Sequence, residues 1–380
     1  MRSQLTRDFA RFGRDLPRDF AAHVLAAYRI DLSTAYLGVP LPHPVGKGSG
    51  QLSLNVEQIE ADDAAGLAFV ALKTVIAEDA TGTRRMGAWA VRESRMRVER
   101  RRSARGSEAW TVTWKGRGWD RSFDDYLALV RAARDVARQG PGHILAVPSA
   151  KYHLPPLDEP FASAEYRYTT RRLAEAWGDG PLLLELDFSP TLAADALADE
   201  RATILRWLRE CPAQIRGAGV PLRLAVKLMN ARFDEAFQLD MMAAVAGADA
   251  LIVFNRLWDS ARGVAYGGDD LSDRNLRVLD GWRARHRPAP PLIATGNIAS
   301  GAMLLAYARL GCAAAALHTA FQLPLGAYPA TAGSRTQRVM HQLIFAPADG
   351  LVAGLLDLED TGRIARRGGV LHFADAVGID

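Results

Sequence analysis

The sequence predicts an α/β fold: a (β/α)8 TIM barrel with an N-terminal helical extension and a β-hairpin excursion after strand 2. Three observations predict it. Eight short apolar runs bounded by glycine and proline recur along the 380 residues, and longer amphipathic stretches alternate with them. With 49% hydrophobic and 24% charged residues, the chain can bury the core such a barrel needs. Eight strands, each followed by a helix or a long return, favour a closed barrel over an open sheet, because closure leaves no edge to cover.

In chain order, residues 1–30 form the N-terminal extension, one or two amphipathic helices interrupted by Pro17 and docked on the barrel. The barrel spans 31–345. Its strands are expected at 43–48, 67–73, 142–147, 182–188, 221–227, 249–254, 291–295 and 313–317. Helices are expected near 122–137, 161–177, 193–217, 232–247, 273–286, 299–310 and 334–344. The first of these opens with Ser122 and Asp125 at capping-box spacing, and Phe123, Tyr126, Leu127 and Val130 fall on one face. The connection from about 74 to 141 is too long for a simple crossover. Alternation at 89–99 and 108–114 makes it a hairpin excursion, about 84–120. Residues 346–380 form a C-terminal tail packing on the barrel.

Composition excludes several classes of function. No apolar stretch reaches the ~18 residues of a membrane span, and the Arg- and Asp-studded start has no signal-peptide apolar region, so a cytoplasmic location is expected. Cys211 and Cys312 are the only cysteines and neither lies in a CxxC, which excludes a disulfide framework, a zinc ribbon and an iron–sulfur cluster held by this chain; no metal site is expected. Residues 92–105 hold seven Arg against two Glu, net +5 against +4 for the whole chain, so the remainder carries about −1. This basicity is one local patch without interleaved stacking aromatics, which argues against nucleic acid as a partner. Only five lysines occur, Lys47, Lys73, Lys115, Lys151 and Lys227, against 42 arginines. Where Arg is the default cation, a Lys closing an apolar strand marks a place that needs a compact ammonium.

In a barrel the strand C-terminal ends point into the site. Those ends are Gly48-Ser49-Gly50, Lys73-Thr74, Asp187-Phe188-Ser189, Lys227, Asn255-Arg256, Thr295-Gly296-Asn297 and His318-Thr319. Lys73 and Lys227 close VALK and LAVK, positions that are costly for an ammonium unless it faces an anion or an electron-rich ring. Thr295-Gly296-Asn297 and His318-Thr319 follow strands seven and eight, where exposed backbone N–H groups favour a phosphate. A strand-end Lys together with such a phosphate grip suits flavin mononucleotide (FMN).

The segments DLSTAYLGVPLPHPVGKGSG, LAFVALKTV, LLLELDFSPT, PLRLAVKLMN, GADALIVFNRL, PLIATGNIASG and AAAALHTAF, across about 31–325, resemble the dihydroorotate dehydrogenase superfamily, nearest its dihydroorotate-dehydrogenase-like branch. The resemblance implies an FMN-binding barrel. It places Gly48 and Ser49 beside the flavin, Lys73 with Thr74 near ring and substrate, and Lys227 at the flavin N1/O2 edge. It also places Thr295, Gly296, Asn297, His318 and Thr319 around the phosphate. A homodimer is compatible with it.

On the substrate side the sequence departs from the family. The family's pocket asparagines become Asp187-Phe188-Ser189-Pro190-Thr191 and Gly82-Thr83-Arg84-Arg85, and only Asn255 survives. Losing amide hydrogen bonds leaves a planar cyclic amide poorly held, so dihydroorotate is not the expected substrate. Candidate catalytic residues are Ser189, Asp187 and Lys227, with Tyr152 and His153 as further candidate bases; Asp187 serves equally as a carboxylate pairing Lys227. Lys73, Asn255, Arg256 and Arg85 are the candidate substrate-binding residues. The expected function is an FMN-dependent oxidoreductase acting at a C–C bond of a small polar metabolite, with the electron acceptor unknown. The alternatives are an inactive barrel serving as scaffold or regulatory subunit, and a true dihydroorotate dehydrogenase with a rebuilt pocket.

Overall fold

The computed structural model describes the chain except residues 90–94, 103–105, 107, 116–117, 189–200, 232–233, 246, 260–263, 267–268, 286–289 and 380. Eight parallel strands form its centre. They are β1 (Val45–Lys47), β2 (Phe69–Ala71, resuming as Val75–Ile76), β3 (Leu145–Val147, resuming as Ser149–Lys151) and β4 (Leu182–Asp187). The ring continues through β5 (Leu222–Lys227), β6 (Ala250–Val253), β7 (Leu292–Ala294) and β8 (Cys312–Leu317). Each strand pairs with the next, and β8 returns to β1 with Ala315 opposite Val45 and Leu317 opposite Lys47, so the sheet closes into the expected barrel. The strands are buried along nearly all their length, as parallel strands covered on both faces must be.

Two strand boundaries differ from those read in the sequence. β2 breaks at Leu72–Thr74, where the Lys73 amide leaves the sheet for the Ser53 carbonyl. β3 begins at Leu145 and runs to Lys151. Pro148 has no N–H and interrupts the ladder, but its carbonyl accepts from the Glu185 amide at 2.9 Å, so pairing resumes beyond it. Ser149–Lys151 is therefore strand rather than loop, and a further lysine reaches a strand end.

Helices cover the barrel: α1 (Arg2–Phe12), α2 (Phe20–Tyr28), α3 (Val56–Ala64), α4 (Phe123–Gln139), α5 (Ser163–Trp177), α6 (Arg201–Arg216) and α7 (Glu235–Ala244). After them come α8 (Asp269–Arg285), α9 (Gly301–Arg309), α10 (Arg335–Phe345) and α11 (Leu351–Asp360). The capping box of Ser122 with Asp125 starts α4 as its spacing required. The N-terminal helices break around Pro17 and dock on the barrel's last helix. Phe9 stacks on His341 of α10 at 4.3 Å, and Asp8 accepts from the Tyr28 hydroxyl at 2.6 Å. Helix α11 and the pairing of Ile30–Asp31 with Leu371–His372 were not read from the sequence; they tie the C-terminal tail to the extension. A tight hairpin, Thr34–Tyr36 with Val39–Leu41, closes the N-terminal end of the barrel, where Arg223 donates to the Leu37 carbonyl at 2.6 Å.

The C-terminal end carries the excursion. Arg95–Arg102 pairs with Glu108–Lys115 as the expected hairpin. It joins Leu257–Asp259 and Val264–Tyr266, which follow β6, in one four-stranded antiparallel sheet through Ala265 opposite Trp114. Among the described residues no helix is long and apolar enough to cross a membrane.

Candidate active site at the barrel mouth

Inside the C-terminal end, Lys47, Lys151 and Lys227 close three strands and Lys73 sits in the break of β2. Lys47, Lys73, Lys151 and Lys227 are all buried. Each needs an acceptor, because an unpaired ammonium there would cost several kcal/mol. Lys47 meets Asp62 of α3 in a buried pair and Thr336 donates to the same carboxylate at 2.8 Å, a contact that fastens α10 to β1. Lys151 donates to the Asp187 carbonyl at 3.2 Å. Lys227 donates to Glu185 at 3.2 Å. Burial works against the Lys227 charge, but Glu185 and Asp187 outweigh it and hold its pKa above the usual lysine value. The carboxylate paired with Lys227 is thus Glu185, two residues before Asp187. The visible signal was a glutamate inside the apolar run LLLELD.

A chain of hydroxyls joins these charges. Thr74 Oγ1 donates to Asp187 Oδ2 at 2.9 Å and lies 2.9 Å from Ser49 Oγ and 3.1 Å from Ser149 Oγ; Ser149 donates in turn to Glu185 at 2.9 Å. Strands β1, β2, β3, β4 and β5 are so connected across the barrel floor. Burial, with Arg256 and Lys227 nearby, lowers the Lys73 pKa to about 8, while Asp187 opposes the shift. Arg256, 7% exposed, follows β6 and is drawn toward Asp187 electrostatically.

Above this floor opens a cavity of about 250 Å³. Its lining includes Gly48, Ser49, Lys227, Asn255, Arg256, Thr295, Gly296, Asn297, His318 and Thr319, ten of the residues named from the sequence. Lys73, Thr74 and Asp187 are outside that lining; Thr74 and Asp187 belong to the hydroxyl network, and Lys73 lies within electrostatic reach of Asp187 and Arg256. Arg85 is exposed and outside the lining; its backbone N–H donates to Glu165 at 3.1 Å. Tyr152 and His153 belong to a separate cluster under α5. Tyr152 bonds Thr170 at 2.8 Å and stacks on Tyr166, and the His153 imidazole accepts from the Ala162 amide at 3.2 Å through Nδ1, so loop packing accounts for both. Ser189 lies outside the described residues.

The wall after β7 and β8 is built for close approach. Gly296 and Asn297 both take left-handed φ, +97° and +50°. A Cβ on Gly296 would sit 2.6 Å from the Phe254 carbonyl and 2.6 Å from Asn275 Nδ2, so only glycine fits. Asn275 of α8 donates to the Thr295 carbonyl at 3.1 Å and the Tyr307 hydroxyl to that of Gly296 at 2.9 Å. Anchoring the two carbonyls fixes the turn that borders the cavity. α9 itself starts only at Gly301, capped by Ser300, so residues 297–300 present a turn rather than the helix end expected. On the facing wall His318 holds a pKa well below the usual imidazole value through burial and the charges of Arg256, Lys227, Lys73 and Lys47; it stays neutral, with Gln322 2.6 Å from Nδ1. The sequence reading missed Trp110, which reaches the cavity from the excursion, and the apolar residues Leu271, Ile298 and Leu323.

No family model matches the chain. Two curated proteins, each named dihydroorotate dehydrogenase (quinone), from Xanthomonas campestris pv. campestris strains B100 and 8004, are 26% identical over 306 residues, covering 76% of this chain and 79% of theirs. Over that span the chain is similar to these dihydroorotate dehydrogenases. The crystal structure of DHODH in complex with ferulenol from Eimeria tenella superposes with a TM-score of 0.61 at 15% identity, covering 96% of this chain and 94% of that one. The ligand-free type DHODH from the same organism gives 0.55 at 16%, covering 96% and 93%. These structures show the fold, an α/β barrel.

Proposed function

We propose that this chain is an FMN-dependent oxidoreductase acting at a C–C bond of a small anionic metabolite other than dihydroorotate. The observation that carries the reading is the placement of a buried, charged Lys227 on one side of a cavity whose other walls are the glycine turn Thr295-Gly296-Asn297 and the His318-Thr319 pair. Residues of this character fit FMN. Backbone at Gly296, where a Cβ would collide, and at Asn297 borders the space for the phosphate, with Thr319 adding a hydroxyl. Lys227, Ser49 and Gly48 border the space for the ring. FMN, when bound, supplies the hydride acceptor or donor.

The chain's own residues supply binding and proton transfer. Arg256 and Lys73 place two cations near Asn255, a pattern that holds a carboxylate. Asp187 is the proton acceptor we assign, since its Oδ2 already receives the Thr74 hydroxyl and the Tyr152 and His153 side chains are engaged elsewhere. Its retention in place of an amide is what disfavours dihydroorotate. The second reading, dihydroorotate itself as substrate, is favoured by the name of the curated relatives.

The test is the visible spectrum of the purified protein, mass identification of what heat releases, and anaerobic titration. A flavin band, released FMN and no bleaching by dihydroorotate support the proposal. Bleaching by dihydroorotate establishes the second reading. A colourless protein that takes up no added FMN refutes both and leaves a scaffold role.

A further inference from the structure

We propose that Trp110 is the aromatic wall of the cofactor site, supplied by a sheet strapped across the barrel mouth rather than by the barrel. The inference rests on the reading of the cavity as an FMN site and names a contact that reading does not contain.

In a ring of eight, β2 and β6 stand four strands apart, on opposite sides of the barrel. The strands that follow them, Glu108–Lys115 and Val264–Tyr266, nevertheless pair, through Trp114 and Ala265. A sheet anchored on both sides must pass over the mouth. Among the described residues lining the cavity, Trp110 alone comes from the excursion after β2; the others belong to strand ends, the turns after them, or Leu271 at the start of α8. Thr111, 1% exposed, buries the next position of the strand and holds its register.

The indole is held from behind. Arg100 lies directly opposite Trp110 in the hairpin, and its guanidinium sits 5.0 Å from the ring centroid. Such a contact orients the ring even at an exposed site. The remaining apolar lining is aliphatic, with Leu271, Ile298, Leu317 and Leu323. Besides the small imidazole of His318, Trp110 is the one aromatic ring among the described lining residues that a planar conjugated ligand could lie against. An electron-rich indole against a flavin also quenches its fluorescence, which gives a signal independent of turnover.

The experiment compares wild-type protein with Trp110→Ala and Trp110→Phe, measuring FMN affinity, FMN dissociation rate and the emission of bound FMN. Expected are an at least tenfold loss of affinity in Trp110→Ala, mostly as faster dissociation, with brighter bound flavin. Trp110→Phe should lose less affinity and still brighten. Wild-type affinity with unchanged emission in both variants overturns the proposal. Should Trp110→Ala fail to fold, Trp110→Phe decides by its emission alone. A wild-type protein that binds no FMN refutes the underlying reading instead, a result distinguishable before any variant is made.

Discussion

Thr74 donates its hydroxyl proton to Asp187 at 2.9 Å, which fixes the end of β2 to the end of β4 inside the barrel mouth. Both groups are buried, at 6% exposure each, so solvent cannot replace the bond. Thr74→Val keeps the shape and removes the donor, leaving a buried carboxylate short of a partner. Such a loss costs about 1–3 kcal/mol. The expected outcome is a lower denaturant midpoint without a changed slope, together with reduced turnover if Asp187 accepts the proton. Unchanged stability would show that the hydroxyl network is dispensable.

Lys73 supplies a pH dependence. Its pKa is lowered to about 8, first by burial and then by Arg256 and Lys227. In the free protein it therefore loses its charge as pH rises through about 8, well before an exposed lysine does. Binding of an anionic substrate weakens over the same interval, so kcat/KM should fall on the basic side with that midpoint. Lys73→Met should lower kcat/KM throughout and remove this limb of the profile. A basic limb that persists in Lys73→Met belongs to another group.

Gly296→Ala tests the wall after β7. The added methyl meets the Phe254 carbonyl and Asn275 in a backbone conformation that L side chains rarely adopt, so the turn must move. We expect a destabilisation of about 1–3 kcal/mol and FMN retention reduced at least tenfold. Differential scanning calorimetry of the apoprotein, with FMN affinity measured separately, resolves the two effects. Normal retention would remove this turn from the cofactor site.

How far the sequence carried these residues follows from where they sit. Strand-end positions were legible because apolar runs are periodic and end abruptly, and Lys73, Lys227, Gly296 and His318 stand at those ends. Lys151 was missed because Pro148 resembles a strand terminus, whereas its carbonyl continues the ladder. Glu185 escaped because a charge inside a buried strand is explained only by its partner on the neighbouring strand, Lys227 of β5, which sequence spacing does not reveal. Trp110 was invisible for a similar reason. Its place over the cavity depends on pairing between excursions more than 140 residues apart, Trp114 with Ala265.

Glu165 carries a last prediction, separate from catalysis. It lies in the first turn of α5, 2% exposed, and its two oxygens accept the backbone N–H groups of His153 and Arg85. One carboxyl thereby holds the segments after β3 and β2. Burial raises its pKa to about 7; the two backbone bonds oppose the shift and Asp79 adds to it. A carboxyl whose folded pKa exceeds its unfolded one binds the extra proton in the native state, so its contribution to stability is complete below the unfolded pKa of about 4.5 and is lost as pH rises to about 7. The shift corresponds to a contribution on the order of 3 kcal/mol. Glu165→Gln cannot titrate, although it gives up one of the two acceptors and so carries a pH-independent penalty. The difference in unfolding free energy between pH 5 and pH 8 should therefore be smaller in Glu165→Gln than in the wild type, by an amount of that order. Parallel pH–stability curves would mean that Glu165 titrates as an ordinary carboxylate and that the two segments are held without it.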